Sequence, residues 1–301
     1  MLIERIWKPW FILNPMQVLR RIALLLNPPP PGYMPLRTSW GGELFVDPSK
    51  TIGHAIAATG VYELAVSELL IRLVSPGATV IDAGANVGYM TILAATAAGR
   101  DGRVVAFEPN PKLFPVLQQN VDQFAKQVQV TTVELSQAAL GEAIGSAQLH
   151  LGAGFSENDG IASLIPTDET SSTSTVPLTT LDSAMGDLHV DVMKVDVEGY
   201  ELQLFHGAEV ALRTHRIKHI IFEEHPESDG RAVKHLAAAG YEIFALSTSF
   251  WGPVVVPIGA TLPKNRFEAP NFIATVAPDE LRKAAAARGW RALRRISFQR
   301  S

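Results

Sequence analysis

Cysteine is absent from the 301-residue chain. Disulfides, thiolate zinc sites and cysteine nucleophiles are thereby excluded. A chain without thiols suits a reducing compartment, so the expected location is cytoplasmic. Long apolar runs are absent too, and no stretch reaches the roughly 18–20 residues that a membrane span requires. The N-terminal MLIERIWKPWFILNPMQVLRRIALLLNPPPPG is interrupted by Lys8, Pro9, Pro15, Arg20 and Arg21. Its run Ile22–Leu26 is too short for the apolar core of a secretory signal. It reads as an amphipathic arm ending at the Pro28–Pro31 turn. Charge is modest, with a net value of −4 and a pI near 6.1, so nothing draws the chain toward nucleic acid. Apolar residues are plentiful at 47%, enough for a full core in one large domain with extensions.

From about Thr51 the chain alternates strand-like and helix-like segments. Ala78–Ala83, Arg103–Phe107, Val128–Leu135, Val190–Val195, Ile217–Phe222, Tyr241–Leu246 and Phe272–Val276 read as strands. Val61–Val74, Gly88–Ala98, Lys112–Phe124, Glu201–Leu212 and Arg231–Ala239 read as helices. Short apolar strands alternating with amphipathic helices predict a doubly wound, mostly parallel α/β sheet covered on both faces. Gly152–Thr175, rich in serine and threonine, reads as a surface loop. The expected division is an arm over 1–36, a domain over 37–278 and a basic tail over 279–301.

The most informative stretch is VIDAGANVGYMT, Val80–Thr91. An apolar strand runs into Asp82, then the loop Gly84-Ala85-Asn86-Val87-Gly88, then a helix. Gly84 permits a tight turn and close approach of a ligand; Gly88 is placed where the helix starts against the strand. About twenty residues on, the next strand ends at Glu108, where a carboxylate can accept hydrogen bonds from both ribose hydroxyls of a nucleoside. A dinucleotide fingerprint places glycine where Asn86 stands. Asp82 would repel a pyrophosphate and suits the ammonium of S-adenosylmethionine. A glycine-rich turn with no ligand is the plainer alternative.

Two further strands deliver acids to the same sheet edge. Val192–Val195 leads to Asp196 and Glu198, with a turn at Gly199. His219–Phe222 leads to Glu223, Glu224 and His225. Ligands of open α/β sheets bind at this edge. A hydroxyl attacking a methyl group needs a proton acceptor, for which Asp196, Glu198 and His225 are candidates. Clustered carboxylates could instead raise one another's pKa or hold a divalent metal ion, although no metal-ligand pattern is evident. Plainer readings exist: Glu223 and Glu224 paired with basic residues, His225 as a loop residue, Lys194 salt-bridged within its strand.

These pieces together resemble the FkbM-type methyltransferases. The resemblance is carried by GVYELAVSELL (Gly60–Leu70), SPGATVIDAGANVGYMT (Ser75–Thr91), VVAFEPNPKLFPVLQQNV (Val104–Val121), MKVDVEGYELQLFHGA (Met193–Ala208) and IIFEEHPE (Ile220–Glu227). It implies a seven-stranded, Rossmann-like class I methyltransferase fold with S-adenosyl-L-methionine as methyl donor. It implies Gly84, Ala85, Asn86 and Gly88 as the cofactor loop and Glu108 as the ribose ligand, beside the Asp82 read above, with adenine near Ser136 and Gln137. Asp196, Glu198, Glu223 and His225 become the active-site candidates, and the acceptor a hydroxyl of a sugar, glycolipid or polyketide. A nicotinamide-dependent oxidoreductase and a non-catalytic binding module remain as alternatives. The arm and the tail fall outside the resemblance. The tail reads as a solvated helix or disordered segment, and the termini are candidates for peripheral membrane contact.

Overall fold

The computed structural model of the protein describes residues 16–127, 132–152, 162–165, 170–224, 230–260 and 271–296. Helix α1 (Met16–Leu26) leads into a hairpin of β1 (Met34–Arg37) and β2 (Glu43–Val46), followed by α2 (Thr51–Thr59) and α3 (Leu64–Leu73). The first half of the main sheet follows: β3 (Thr79–Ala83), α4 (Tyr89–Ala98), β4 (Arg103–Phe107), α5 (Phe114–Gln127) and β5 (Thr132–Ser136). A second small sheet is built from β6 (Ala139–Leu140), β7 (Gly145–Gly152), β8 (Ala162–Ser163) and β9 (Thr170–Thr179). The chain then runs through α6 (Leu181–Met185), β10 (Val190–Val195), α7 (Glu201–His206), α8 (Glu209–Arg213) and β11 (Ile217–Glu223). It ends with α9 (Arg231–Ala238), β12 (Glu242–Thr248), β13 (Pro253–Pro257), β14 (Asn271–Thr275) and α10 (Pro278–Ala286).

The main sheet has eight strands in the order β13-β12-β14-β11-β10-β3-β4-β5. Strands β5, β4, β3, β10 and β11 are parallel, while β14, β12 and β13 add antiparallel pairs. Successive residues feed opposite faces, as strand geometry requires. Val80 and Val192 join one core cluster; Ile81 and Met193 join the other. Burial on both faces explains the near-continuous apolar character of β3 and β10. The chain adds β4 and β5 on one side of β3, then β10 and β11 on the other. The order of strands thus reverses between the parallel β3 and β10, and a crevice forms outside their carboxyl ends.

The expected doubly wound sheet is present, and β13 adds an eighth strand. Its terminal prolines suit an edge, where an amide is not needed. Three segments differ from the sequence reading. Thr170–Thr175, expected in a loop, belongs to β9 and pairs antiparallel with β7; β-branched threonines fit a pleated strand. Glu201–Leu212, expected as one helix, is α7 and α8. At the break, a Cβ on Gly207 would fall 1.9 Å from the Gly141 carbonyl oxygen. The Asp182 carboxylate there accepts from the amides of Val210 and Ala211, both at 2.8 Å, and starts the new helix.

Among its described residues, which end at Ile296, the tail is anchored to the domain rather than fully solvated. Leu281, Trp290 and Ala292 are buried. The holding group is an ion pair inside α3, Arg72 Nε to Glu68 Oε1 at 2.6 Å, with both side chains almost fully enclosed. The Arg72 guanidinium donates to the carbonyls of Ala284, Ala287 and Gly289, and Glu68 Oε2 accepts from the Ala292 amide at 2.8 Å. Among the described residues no helix is long and apolar enough to cross a membrane. Glu68→Ala strands the buried Arg72 charge, and breaking such a pair costs about 3–5 kcal/mol. Equilibrium urea unfolding of the variant is expected to show a loss of that order.

Candidate functional site

The crevice at the ends of β3, β4 and β10 is lined by the glycine loop, the Glu108 strand end and the Asp196–Tyr200 turn. Gly84 has φ 80°, and a Cβ there would lie 1.8 Å from the Asp196 carbonyl oxygen. Only glycine allows β3 and β10 to stay paired while the chain turns. The amides of Gly84 and Ala85 both donate to the Phe107 carbonyl, at 3.0 and 2.9 Å. Asn86 is also left-handed, with φ 52°. Its side-chain oxygen accepts from the Val87 amide at 2.8 Å, a local bond that suits asparagine in this conformation. Gly88 is not on the cavity wall. It begins α4 with φ 90°, and a Cβ would press on Leu117 Cδ1 at 2.7 Å. It therefore admits α5, not the strand, to close contact.

Glu108 is buried, with Oε2 accepting from the Asn86 amide at 2.7 Å and Oε1 from the Asn110 amide at 2.8 Å. Each carboxylate oxygen has two acceptor positions, so one on each remains for a ligand. Burial pushes the carboxyl up to about 7, against the pull of the Asn110 and Asn86 amides. Ser136 and Gln137 do not line the cavity; the Ser136 carbonyl accepts from the Glu108 amide at 3.1 Å. The wall beside Glu108 is formed by Ala138, Ala139 and Leu140 instead.

Asp82 does not face the cavity. It is 1% exposed, with Oδ2 accepting from the Thr91 hydroxyl at 2.6 Å. Burial raises its pKa, with the neighbouring Lys194 opposing. The Lys194 ammonium stands in front of it, 4.0 Å from Asp82 Oδ1, 3.0 Å from Asp196 Oδ2 and 3.4 Å from the Gly84 carbonyl. Burial works against that charge, but Asp196 and Asp82 outweigh it and raise the lysine above its ordinary value. Lys194 and Asp196 lie two apart along the end of β10 and so share a face. That spacing was the available sequence signal for the pair.

Glu198 lines the cavity in a left-handed conformation, φ 52°, and its carbonyl accepts from Ser163 Oγ at 2.7 Å. The small sheet is thus tied to the acid turn, and it contributes Leu149 to the cavity wall; Leu164 follows β8 there. Burial, Asp196 and Glu223 together push the Glu198 carboxyl up to about 8. Tyr62, which sequence reasoning did not single out, also lines the cavity; burial and then Glu63, Asp196 and Glu198 raise its hydroxyl well above the usual range. Glu223 acts on Glu198 through its charge but is not on the wall. Glu224 accepts from the amides of Ala232 and Val233 and caps α9. His225 lies outside the described residues. Among the described residues no three histidines or acids are grouped to hold a metal ion.

Both raised carboxyls make stability depend on pH. An acid whose pKa is higher folded than unfolded holds more protons in the folded state, so stability falls as pH rises past the unfolded value. From the ordinary value of 4.5 up to about 7 for Glu108 and about 8 for Glu198, these two carboxyls withdraw stability. The buried His219, held down to about 4, acts in the opposite sense below 6.5, so a net loss is expected between about 6.5 and 8. Urea unfolding at several pH values across that window checks this. In Glu198→Gln the decline should be shallower and end earlier.

Comparison with known proteins places this architecture. Residues 82–243 match the model of the methyltransferase FkbM domain. A segment of the AMB antimetabolite synthetase AmbE of Pseudomonas aeruginosa is 27% identical over 219 residues, covering 59% of this chain. The chain spans only 10% of that relative's length. Among solved structures, methyltransferase FkbM from Methylobacillus flagellatus is similar at 15% identity and a TM-score of 0.46, over 65% of this chain and 43% of the other. A SAM-dependent O-methyltransferase from Thermotoga maritima is similar at 18% identity and a TM-score of 0.44, over 81% and 77%. With the family model matched over more than half of its length, the chain belongs to the FkbM methyltransferase domain family.

Proposed function

We propose that the protein is an S-adenosylmethionine-dependent O-methyltransferase acting on a hydroxyl of a small acceptor of the sugar, glycolipid or polyketide type. The observation that carries this reading is the set of carboxyl groups on the cavity wall. Its walls present Glu108, Asp196 and Glu198, and among the described residues the lysine on them, Lys194, is bound to Asp196. A cationic ligand would favour the ionised forms of Glu108 and Glu198, whereas the wall offers a pyrophosphate no cation that Asp196 does not already hold. The open acceptor positions on Glu108 fit a ribose diol. The apolar wall of Ala138 to Leu140, with Leu113, fits a flat base. The likeness to one segment of an antimetabolite synthetase supports a small-molecule acceptor. In this reading the transferase unit runs from 37 to 278, with the arm 1–36 before it and the tail 279–301 after it.

When bound, S-adenosylmethionine supplies a methyl group on a sulfonium, which is already electrophilic. The chain's task is to align the acceptor oxygen, since positioning can contribute roughly 7–11 kcal/mol. Asp196, fixed by Lys194, accepts a hydrogen bond from the acceptor and orients it. Glu198 receives the hydroxyl proton as the new O–C bond forms. Once ionised, a carboxyl pushed up to about 8 is a stronger base than an ordinary carboxylate, so turnover should rise as pH approaches 8. General-base catalysis is worth about 10²–10⁴-fold. Tyr62, Leu149 and Leu164 shape the acceptor side.

Calorimetric titration with S-adenosylhomocysteine, with NADH as control, tests the cofactor. Glu108→Ala should bind at least about 10-fold more weakly, as expected for loss of charged hydrogen bonds. Binding of NADH alone would sink the proposal. With an acceptor found by screening glycans and polyketides against labelled methyl donor, Asp196→Asn and Glu198→Gln should keep affinity for S-adenosylhomocysteine, which carries no sulfonium charge. Their turnover should fall by roughly 10²-fold or more.

A further inference from the structure

Helix α1 is built the wrong way round for a helix that only packs on its own protein. A surface helix normally buries its apolar stripe and shows its polar face. In α1, Gln17 is completely buried, while Val18, Leu19, Ile22 and Leu26 are 39, 59, 47 and 81% exposed. At 100° per residue these four fall within an arc of about 100°. Among the described residues, the other exposed large apolar side chains are Ile144, Ile165, Val210, Trp251 and Ile258, spread over separate segments.

We infer that α1 docks the protein on the surface of an anionic phospholipid bilayer. Charge complementarity supports that occupant. Residues 1–33 hold Arg5, Lys8, Arg20 and Arg21 against a single acid, Glu4, in a chain whose net charge is −4. Arg20 is exposed and follows Leu19, about 100° further round the helix. Basic residues beside an exposed apolar face are what an anionic headgroup layer attracts and the acyl boundary accommodates. Upstream, the sequence supplies Trp7, Trp10 and Phe11 around Lys8, residue types that favour the headgroup level. A second copy of the chain is a poorer occupant. Four side chains fall short of the roughly 800 Å² per partner of a standard interface, and a twofold contact would bring like charges together.

The location adds a consequence. Helix α1 packs on α2, and Thr51 and Ile52 at the start of α2 line the cavity. Docking through α1 therefore sets the cavity beside the lipid surface, within reach of acceptors carried on lipid.

Flotation of the full chain with vesicles tests this, using phosphatidylcholine alone or mixed with phosphatidylglycerol, at low and high salt. The protein should float with the anionic vesicles, less with the neutral ones, and less at high salt. Leu19→Glu combined with Ile22→Glu should reduce flotation at least about 10-fold, since two apolar anchors are replaced by like-charged acids. An unchanged melting temperature shows that the variant is folded. Failure of the wild-type chain to float, or equal flotation of the folded variant, overturns the inference. So would a wild-type dimer in light scattering that the variant abolishes without any vesicle binding, which would assign the face to a second copy. Flotation only after deletion of residues 1–15 would assign it to that segment.

Discussion

A buried lysine organises the site. Lys194 lies on β10 in register with Asp82 on β3, and its ammonium reaches Asp82, Asp196 and the Gly84 carbonyl together. The contacts join two central strands, the glycine loop and the acid turn at one point. A buried charge is tolerated only when its partners are in place, so the position of each group depends on the others. Asp82 is screened from the cavity by that cation, and Asp196 is left as the acid that faces it. Because Asp196 and Asp82 already hold it, the lysine is not left to bind an anion in the cavity.

The backbone around this cluster is correspondingly tight. The Gly84 position excludes any side chain because the Asp196 carbonyl lies against it. Asn86 and Glu198, on either side of the crevice, are both non-glycine residues in the left-handed region. Such conformations persist where surrounding structure enforces them and concentrate at functional sites. At Asn86 the enforcing contacts are the bond from its amide to Glu108 and its own side-chain bond to Val87. At Glu198 one contact is Ser163 on the small sheet. The second sheet is therefore part of the site's support as well as a wall of the cavity.

Away from the crevice, helix α3 helps to tie the β1–β2 hairpin and the segment up to Ala292 to the domain. Ser67 and Tyr89 meet near Trp40, whose indole donates to the Tyr89 hydroxyl at 3.0 Å. One residue and one turn further along, Glu68 and Arg72 hold the carbonyls and an amide of the C-terminal segment. A charged pair in an otherwise apolar helix serves here as a socket for backbone groups that would otherwise be buried without partners.

The sequence alone determined the alternation of strands and helices, the doubly wound sheet, the glycine loop and the acids at the strand ends. These are local or periodic signals: apolar runs, helical spacing and glycine beside a strand end. It also carried the resemblance to the FkbM methyltransferases. Only the tertiary structure decided which acids face the cavity. Asp82 and Glu224 stand at strand ends like Asp196, yet one is covered by Lys194 and the other caps a helix. The polar Thr170–Thr175 becomes a strand because β7 offers it a partner, and the second of two short helices starts where Asp182 accepts the amides of Val210 and Ala211. The basic tail folds inward because Glu68 and Arg72, more than two hundred residues earlier, supply its hydrogen bonds. Each of these outcomes depends on a contact between residues far apart in the chain, which local pattern does not encode.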